Sequence, residues 1–336
     1  MAVPKLRRRP PLPAVLVAAL IALGFATALS LALGARPIPL PEVWAALTDP
    51  TPGPVSAIIW DRRIPRTLVA VICGASLGLA GALAQALTRN PLADTGVLGI
   101  NSGAAFAIVV GLAAGAPDSS FALSALAVVG AGAAGAGIYA LSRGGAGGVD
   151  PLRLVLAGVA LSAIVGGIGD GLALVNPQAF DRLHAWMVGS VDVGSYRPVY
   201  LALSGLALGG VAAAASIRGL GALQLGEETA AALGAHLART RATALAAIIV
   251  LAATATAAAG VIVFLGLLVP HVARWLVGAS FGRILALSGL FGPIVLLSAD
   301  VVGRVLTPGE FPAGVVVSFI GAPFLIAYAQ LRRKGI

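Results

Sequence analysis

The chain has 336 residues, 59% of them hydrophobic and only 10% charged, with a mean hydropathy of +0.99. That composition excludes a soluble globular domain and fits a series of membrane spans, each needing roughly 20 apolar residues. The net charge of +9 sits on Lys and Arg grouped at the ends of apolar runs; that is a topology signal, so nucleic-acid binding needs no separate consideration.

Lys5, Arg7, Arg8 and Arg9 precede the first uncharged run, residues 14–35. Its 22 residues exceed the apolar region of a usual signal peptide, so it reads as a retained first span. The second run, 67–88, is entered through Arg62-Arg63-Ile64-Pro65-Arg66, read as an outer loop. It is left through Thr88-Arg89-Asn90-Pro91-Leu92-Ala93-Asp94. Pro91 breaks the helix, and such breaks at membrane depth tend to line pathways. Runs 95–117 and 119–142 follow, then 154–180, interrupted only by Asp170, and then 198–217. An intramembrane carboxylate is costly and often functional. Asp170 has no charged neighbour in sequence and faces either a water-filled pathway or a partner helix.

Residues 218–241 form the long inner loop. Within it, Gly226-Glu227-Glu228-Thr229-Ala230-Ala231-Ala232-Leu233-Gly234 places acids at the start and Gly at the end, which are helix start and stop signals. A short, exposed cytoplasmic helix is predicted there, the largest inner feature available to a soluble partner. Run 242–273 holds 32 uncharged residues, too many for one untilted helix, and splits near Ala258–Gly260. Run 284–299 is short and extends past Asp300, whose charge lies four residues before Arg304, on one helix face. The last run, 311–331, ends on Arg332, Arg333 and Lys334. With the split there are ten spans. The basic ends place both termini in the cytoplasm, which an even count satisfies. The fold class is therefore an all-α polytopic membrane protein of about ten transmembrane helices, a single domain over 1–336.

Two stretches echo each other at a lag of 179 residues: Ala80-Gly81 through Asn90-Pro91 to Gly99 and Gly103, and Ala259-Gly260 through Val269-Pro270 to Gly278 and Gly282. An internal repeat of helix units is the usual trace of a transport pathway built at a repeat interface. Gly74/Gly78, Gly99/Gly103, Gly111/Gly115, Gly167/Gly171 and Gly205/Gly209 are spaced by four, which lets membrane helices approach closely. Gly130, Gly132 and Gly135 spell G-x-G-x-x-G inside an apolar run without a flanking strand, so a dinucleotide site is rejected. The chain has no P-loop motif and no H-E-x-x-H, and its three histidines fall in different loops or span ends. Neither a cofactor, a metal site nor an enzyme is expected. The single cysteine, Cys73, reads as a small packing residue.

At the loops the chain becomes recognisable. It resembles the FecCD-type permeases of ABC importers for iron–siderophores, haem or vitamin B12. The resemblance rests on Arg63-Ile-Pro-Arg66, Gln85 through Asp94, Gly96 through Gly103, Leu156 through Leu161, Trp186 through Ser190, Leu225-Gly-Glu-Glu-Thr229, Gly260 through Arg274, and Gly314 through Gly321-Ala-Pro323. It implies two permease subunits around a central pathway, two separate ATPase subunits inside, and a periplasmic or lipoprotein binding protein outside. It implies that Arg63, Arg66 and Arg304 receive acids of the binding protein, a role that the unexpected positive charge on the outer face also supports by complementarity. It maps the ATPase-coupling helix onto Gly226, Glu227, Glu228, Ala231, Leu233 and Gly234, and the inner gate onto Asn90, Pro91 and Leu92. The expected function is an inner (cytoplasmic) membrane permease of an ATP-driven importer, with ferric siderophores as substrate. Haem or cobalamin import within the same family, and an ion-coupled secondary transporter, are the alternatives.

Overall fold

The computed structural model describes residues 10–117, 119–143, 149–306 and 309–333. Lys5, Arg7, Arg8, Arg9 and Lys334, on which the orientation leaned, lie outside them. All regular elements among the described residues are helices. The first span is α1 (Leu12–Ala32), followed by the short α2 (Leu40–Thr48) and α3 (Pro54–Ala57). A π-helical stretch, Ile58–Arg63, then runs directly into α4 (Ile64–Thr88). Beyond it come α5 (Ile100–Ala113), α6 (Ser120–Ser142), α7 (Pro151–Val175), α8 (Pro177–Met187) and α9 (Arg197–Leu223). The chain closes with α10 (Glu227–Ala232), α11 (Leu237–Ala259), α12 (Leu265–Val277), α13 (Phe281–Leu306) and α14 (Ala313–Arg333). Among the described residues, seven helices are long and apolar enough to cross a membrane, and three apolar ones, Ile100–Ala113, Leu265–Val277 and Ala313–Ala327, are shorter.

Two expectations about local structure change, and a third holds. Arg62 through Arg66 are not a loop: they are helical, and Pro65 is accommodated where the π-helical stretch Ile58–Arg63 passes into α4, with the Trp60 carbonyl accepting from the Tyr196 hydroxyl at 2.8 Å. The run 95–117 is mostly the 14-residue α5, entered through a left-handed turn at Gly99 (φ 68°). The 32-residue run does split where expected. Gly260 (φ 71°) ends α11, and Phe264 (φ 66°) starts a 13-residue α12. At 1.5 Å per residue α5 and α12 each reach only about 20 Å, short of a bilayer core of about 30 Å.

The echo at lag 179 does not carry over into equivalent positions. Ala80-Gly81 lies inside α4 while Gly260 follows the end of α11; Pro91 is in a turn while Pro270 is inside α12. In a chain with 44 glycines, small residues coincide without sharing a structural role.

α4 is the axis of the bundle. In its extended helix, Pro54–Thr88, 83% of the most apolar window is buried, against 17% for α7. It packs on α13, α11, α9 and α12. Lipid supplies no hydrophobic drive between such helices, so close backbone approach must hold them. Gly74 lies on Gly292, Gly78 on the Ser288 carbonyl, and Gly81 so near Gly266 that an added Cβ would stand 1.8 Å from its carbonyl oxygen. Gly205 and Gly209 of α9 receive Thr254 and Leu251 of α11, and Gly103 of α5 meets Gly130 of α6. Gly167 and Gly171 of α7 face open space instead. Cys73 is buried in α4, its Sγ 3.7 Å from the Ala255 carbonyl oxygen.

Candidate functional site

Polar side chains gather at the two opposite ends of α4, a helix of 25 residues and so about 37 Å long. At its start, Asp300 of α13 is 1% exposed and lies between two guanidinium groups. Arg66 donates to it through Nε (3.0 Å) and Nη2 (2.8 Å), and Arg304 through Nη2 (2.6 Å). A carboxylate so enclosed is stable only with such charge-assisted partners. Arg66 also pairs with Glu310 (2.8 Å) and Asp192 (3.4 Å). The i,i+4 pairing of Asp300 with Arg304 follows from their spacing, but three acids meeting Arg66 does not.

Arg63 and Arg304 have a second task. The last carbonyls of a helix have no acceptor-satisfying N–H of their own and carry the negative end of its dipole. At the end of α1, Arg304 Nη1 donates to the Ser30 and Leu33 carbonyls, both at 2.9 Å, and Arg63 donates to those of Leu31 and Arg36. Arg63, Arg66 and Arg304 are thus brought together, buried at 6%, 8% and 6% exposure, rather than presented as free side chains. With Arg36, Arg62, Asp192 and Glu310 they line a cleft of about 370 Å3. Arg36 and Arg62 are exposed and have no ion pair among the described residues. Arg36 was missed in the sequence because nothing local separates it from an ordinary charge flanking a span.

At the other end, α4 stops on Arg89, whose left-handed backbone (φ 52°) turns the chain into the Asn90-Pro91-Leu92 loop. Asn90 Oδ1 accepts from the Leu92 N–H at 2.9 Å, closing a tight turn that leaves Leu92 50% exposed. Asp94, where the loop re-enters the bundle, accepts from the Thr95 N–H at 2.7 Å, and its Oδ1 lies against Gly266 in the first turn of α12. The 3-10 turn Thr95–Leu98 that leads into α5 and the first turn of α12 therefore both border this carboxylate.

The predicted exposed helix is α10. Gly226 (φ 110°) and Gly234 (φ 79°) bound it in conformations that L side chains rarely adopt. Ala230 is fully buried, whereas Glu228, Ala231 and Leu233 face outward, Leu233 at 67% exposure. Glu227 is exposed as well, but its Oε1 accepts from Arg241 Nη2 at 2.6 Å and Arg89 Nη2 at 3.3 Å. The loop is shorter than 218–241, because α9 continues to Leu223 and α11 begins at Leu237. Asp170 joins neither cluster. It is exposed on α7 and makes no hydrogen bond or ion pair among the described residues.

The FecCD transport family model matches residues 20–331. The chain belongs to the FecCD transport family. It is 44% identical over 316 residues to the ferric enterobactin transport system permease protein FepD of Escherichia coli, covering 94% of this chain and 95% of that one. It is 34% identical to the iron(3+)-hydroxamate import system permease protein FhuB of Bacillus subtilis, covering 96% of this chain and 84% of that one. Among solved structures, a metal-chelate type ABC transporter in an inward-facing conformation superimposes with a TM-score of 0.82 at 26% identity, covering 95% of this chain and 99% of that one. Membership makes this chain a transport protein rather than an enzyme.

Proposed function

We propose that this chain is the membrane permease subunit of an ATP-driven importer of ferric siderophores. The observation that carries this reading is its 44% identity, spread over nearly the full length of both chains, to a ferric enterobactin permease. In this reading the seven long and three shorter apolar helices make ten spans in the cell (inner) membrane, with both termini cytoplasmic. The subunit pairs with a second permease, either a copy or a related chain. The open face of α7, with Gly167, Gly171 and the exposed Asp170, is available to that second subunit or to the pathway.

The ends of α4 then divide the work. On the cytoplasmic side, Gly226 to Gly234 seats in an ATPase subunit through Glu228, Ala231 and Leu233, and Asn90, Pro91 and Leu92 narrow the pathway. On the outer side, the cleft walled by Arg63, Arg66 and Arg304 receives acidic residues of a periplasmic or lipoprotein binding protein. Because the three wall arginines are engaged internally, Arg36 and Arg62 at the mouth supply the free charge.

The test is uptake of ferric enterobactin into proteoliposomes holding the permease, its ATPase and its binding protein. Uptake should require ATP inside the appropriate compartment and survive dissipation of proton and sodium gradients. Ala231→Arg should abolish uptake while the permease still inserts and folds. Uptake driven by an ion gradient without ATP would replace this reading with a secondary transporter.

A further inference from the structure

Glu227 connects two parts that the proposed function treats separately. Its Oε1 touches Arg89, the residue immediately before the Asn90-Pro91-Leu92 loop, and Arg241, in the second turn of α11. One carboxylate oxygen thus joins the end of α4, the start of α10 and the foot of α11. The two arms differ in kind. The Arg241 side chain is 5% exposed and its contact is 2.6 Å, so this arm is desolvated and firm. Arg89 is 42% exposed, Glu227 44%, and their contact is 3.3 Å. Such a solvated pair is weak and screened by salt. Arg89 moreover holds a left-handed backbone that a side-chain-bearing residue adopts only with support from its surroundings. The Asn90–Leu92 turn that follows is held by local hydrogen bonds, from the Leu92 N–H to Asn90 Oδ1, from the Ala93 N–H to the Asn90 carbonyl at 3.1 Å and from the Asn90 N–H to Thr88 Oγ1 at 3.3 Å.

We propose that Glu227 is the positioning residue through which α10 holds the Asn90–Leu92 loop, with Arg241 as the anchor and Arg89 as the arm that makes and breaks. The inference rests on the permease reading for its purpose, since a displacement of α10 by a docked ATPase would pull on the loop through this carboxylate. The tether itself is a property of the chain alone. A second contact supports the same direction of transmission: past the loop, Asp94 Oδ1 lies against Gly266 in the first turn of α12, so a shift of the loop reaches that helix.

The experiment uses the full chain in a Cys73→Ser background with Leu92→Cys as a reporter. Maleimide labelling of position 92 is measured on the purified permease without nucleotide, and transport per ATP hydrolysed is measured on the reconstituted complex. Arg89→Gln should speed labelling about threefold, the effect of losing one solvated ion pair. Glu227→Gln should speed it more, because it removes both arms of the tether at once. The double variant should label no faster than Glu227→Gln alone, because both changes remove one interaction. Arg89→Lys, which keeps the charge, should label like the parent. In the complex, Arg89→Gln and Glu227→Gln should hydrolyse ATP with less substrate moved per ATP. Unchanged labelling in both single variants, or effects that multiply in the double, would overturn the tether. Should Glu227→Gln fail to fold, Arg89→Gln decides alone, since the anchoring arm remains in it. Faster labelling in a complex that shows no ATP-driven uptake even as wild type would uphold the tether and discard the permease reading.

Discussion

Asp300, itself 1% exposed, holds two guanidinium groups at the wall of the cleft. Its removal leaves Arg66 and Arg304 facing each other with Glu310 and Asp192 only partly able to compensate. Breaking one partner of a buried pair typically costs about 3–5 kcal/mol. Asp300→Ala should therefore lower the unfolding midpoint in detergent steeply, whereas Asp61→Ala, at an exposed carboxylate, should leave it within about 0.5 kcal/mol. Equal midpoints would mean that the α1 carbonyls hold Arg304, and Glu310 and Asp192 hold Arg66, without help from Asp300. Half of this cluster was legible. The i,i+4 spacing of Asp300 and Arg304 fixes their pairing on any helix, and the structure gives 2.6 Å. Arg66 and Asp300 are 234 residues apart, and no local pattern in one chain can pair them. The capping of α1 by Arg63 and Arg304 was hidden for the same reason: a helix end is visible in sequence, but the distant side chain that satisfies it is not.

At the scale of elements, apolar length was a good guide where helices run straight and a poor one where the backbone turns inside an apolar run. Pattern reasoning found the break at Gly260 because 32 uncharged residues exceed one span. It missed the break at Gly99 because 23 residues from 95 to 117 do not. The glycine spacing separated in a similar way. It correctly marked close packing at Gly74, Gly78, Gly205 and Gly209, but spacing carries no information about whether a neighbour is there, and Gly167 and Gly171 have none. Position in the packed bundle therefore sets the effect of a methyl group. Gly81→Ala would place a Cβ 1.8 Å from the Gly266 carbonyl oxygen, a backbone atom that cannot step aside without moving α12. A loss of roughly 3 kcal/mol or more is expected, at the upper end of overpacking. Gly210→Ala, in α9 with nothing within 4 Å, should be neutral or gain up to about 1 kcal/mol from helix propensity. Thermal unfolding of the two purified variants reads the difference directly. If Gly81→Ala unfolds like the parent, α4 and α12 are not packed at this point.

Over the whole molecule, the basic cleft at the start of α4 runs against the positive-inside bias on the proposed orientation, and the structure explains only part of it. Arg63 and Arg304 satisfy the end of α1, and Arg66 and Arg304 satisfy Asp300. Arg36 and Arg62 remain exposed at the mouth. If an acidic binding protein docks here, the two classes of arginine should respond differently to charge reversal. Arg62→Glu should leave the fold intact and slow association, because rim charges chiefly set the on-rate. The defect should fade as salt rises and the Debye length falls to about 8 Å near physiological strength and about 3 Å at 1 M. Arg66→Glu should instead lower stability at every salt concentration, because it sets a carboxylate against Asp300, Glu310 and Asp192. Docking kinetics of the purified binding protein on reconstituted transporter, run beside unfolding midpoints over one salt series, separate these outcomes. A binding-protein charge reversal that restores the on-rate of Arg62→Glu, but not the stability of Arg66→Glu, would assign the mouth to recognition and the wall to architecture. If Arg62→Glu associates at the parental rate at low salt, the acidic partner meets a different face of the molecule.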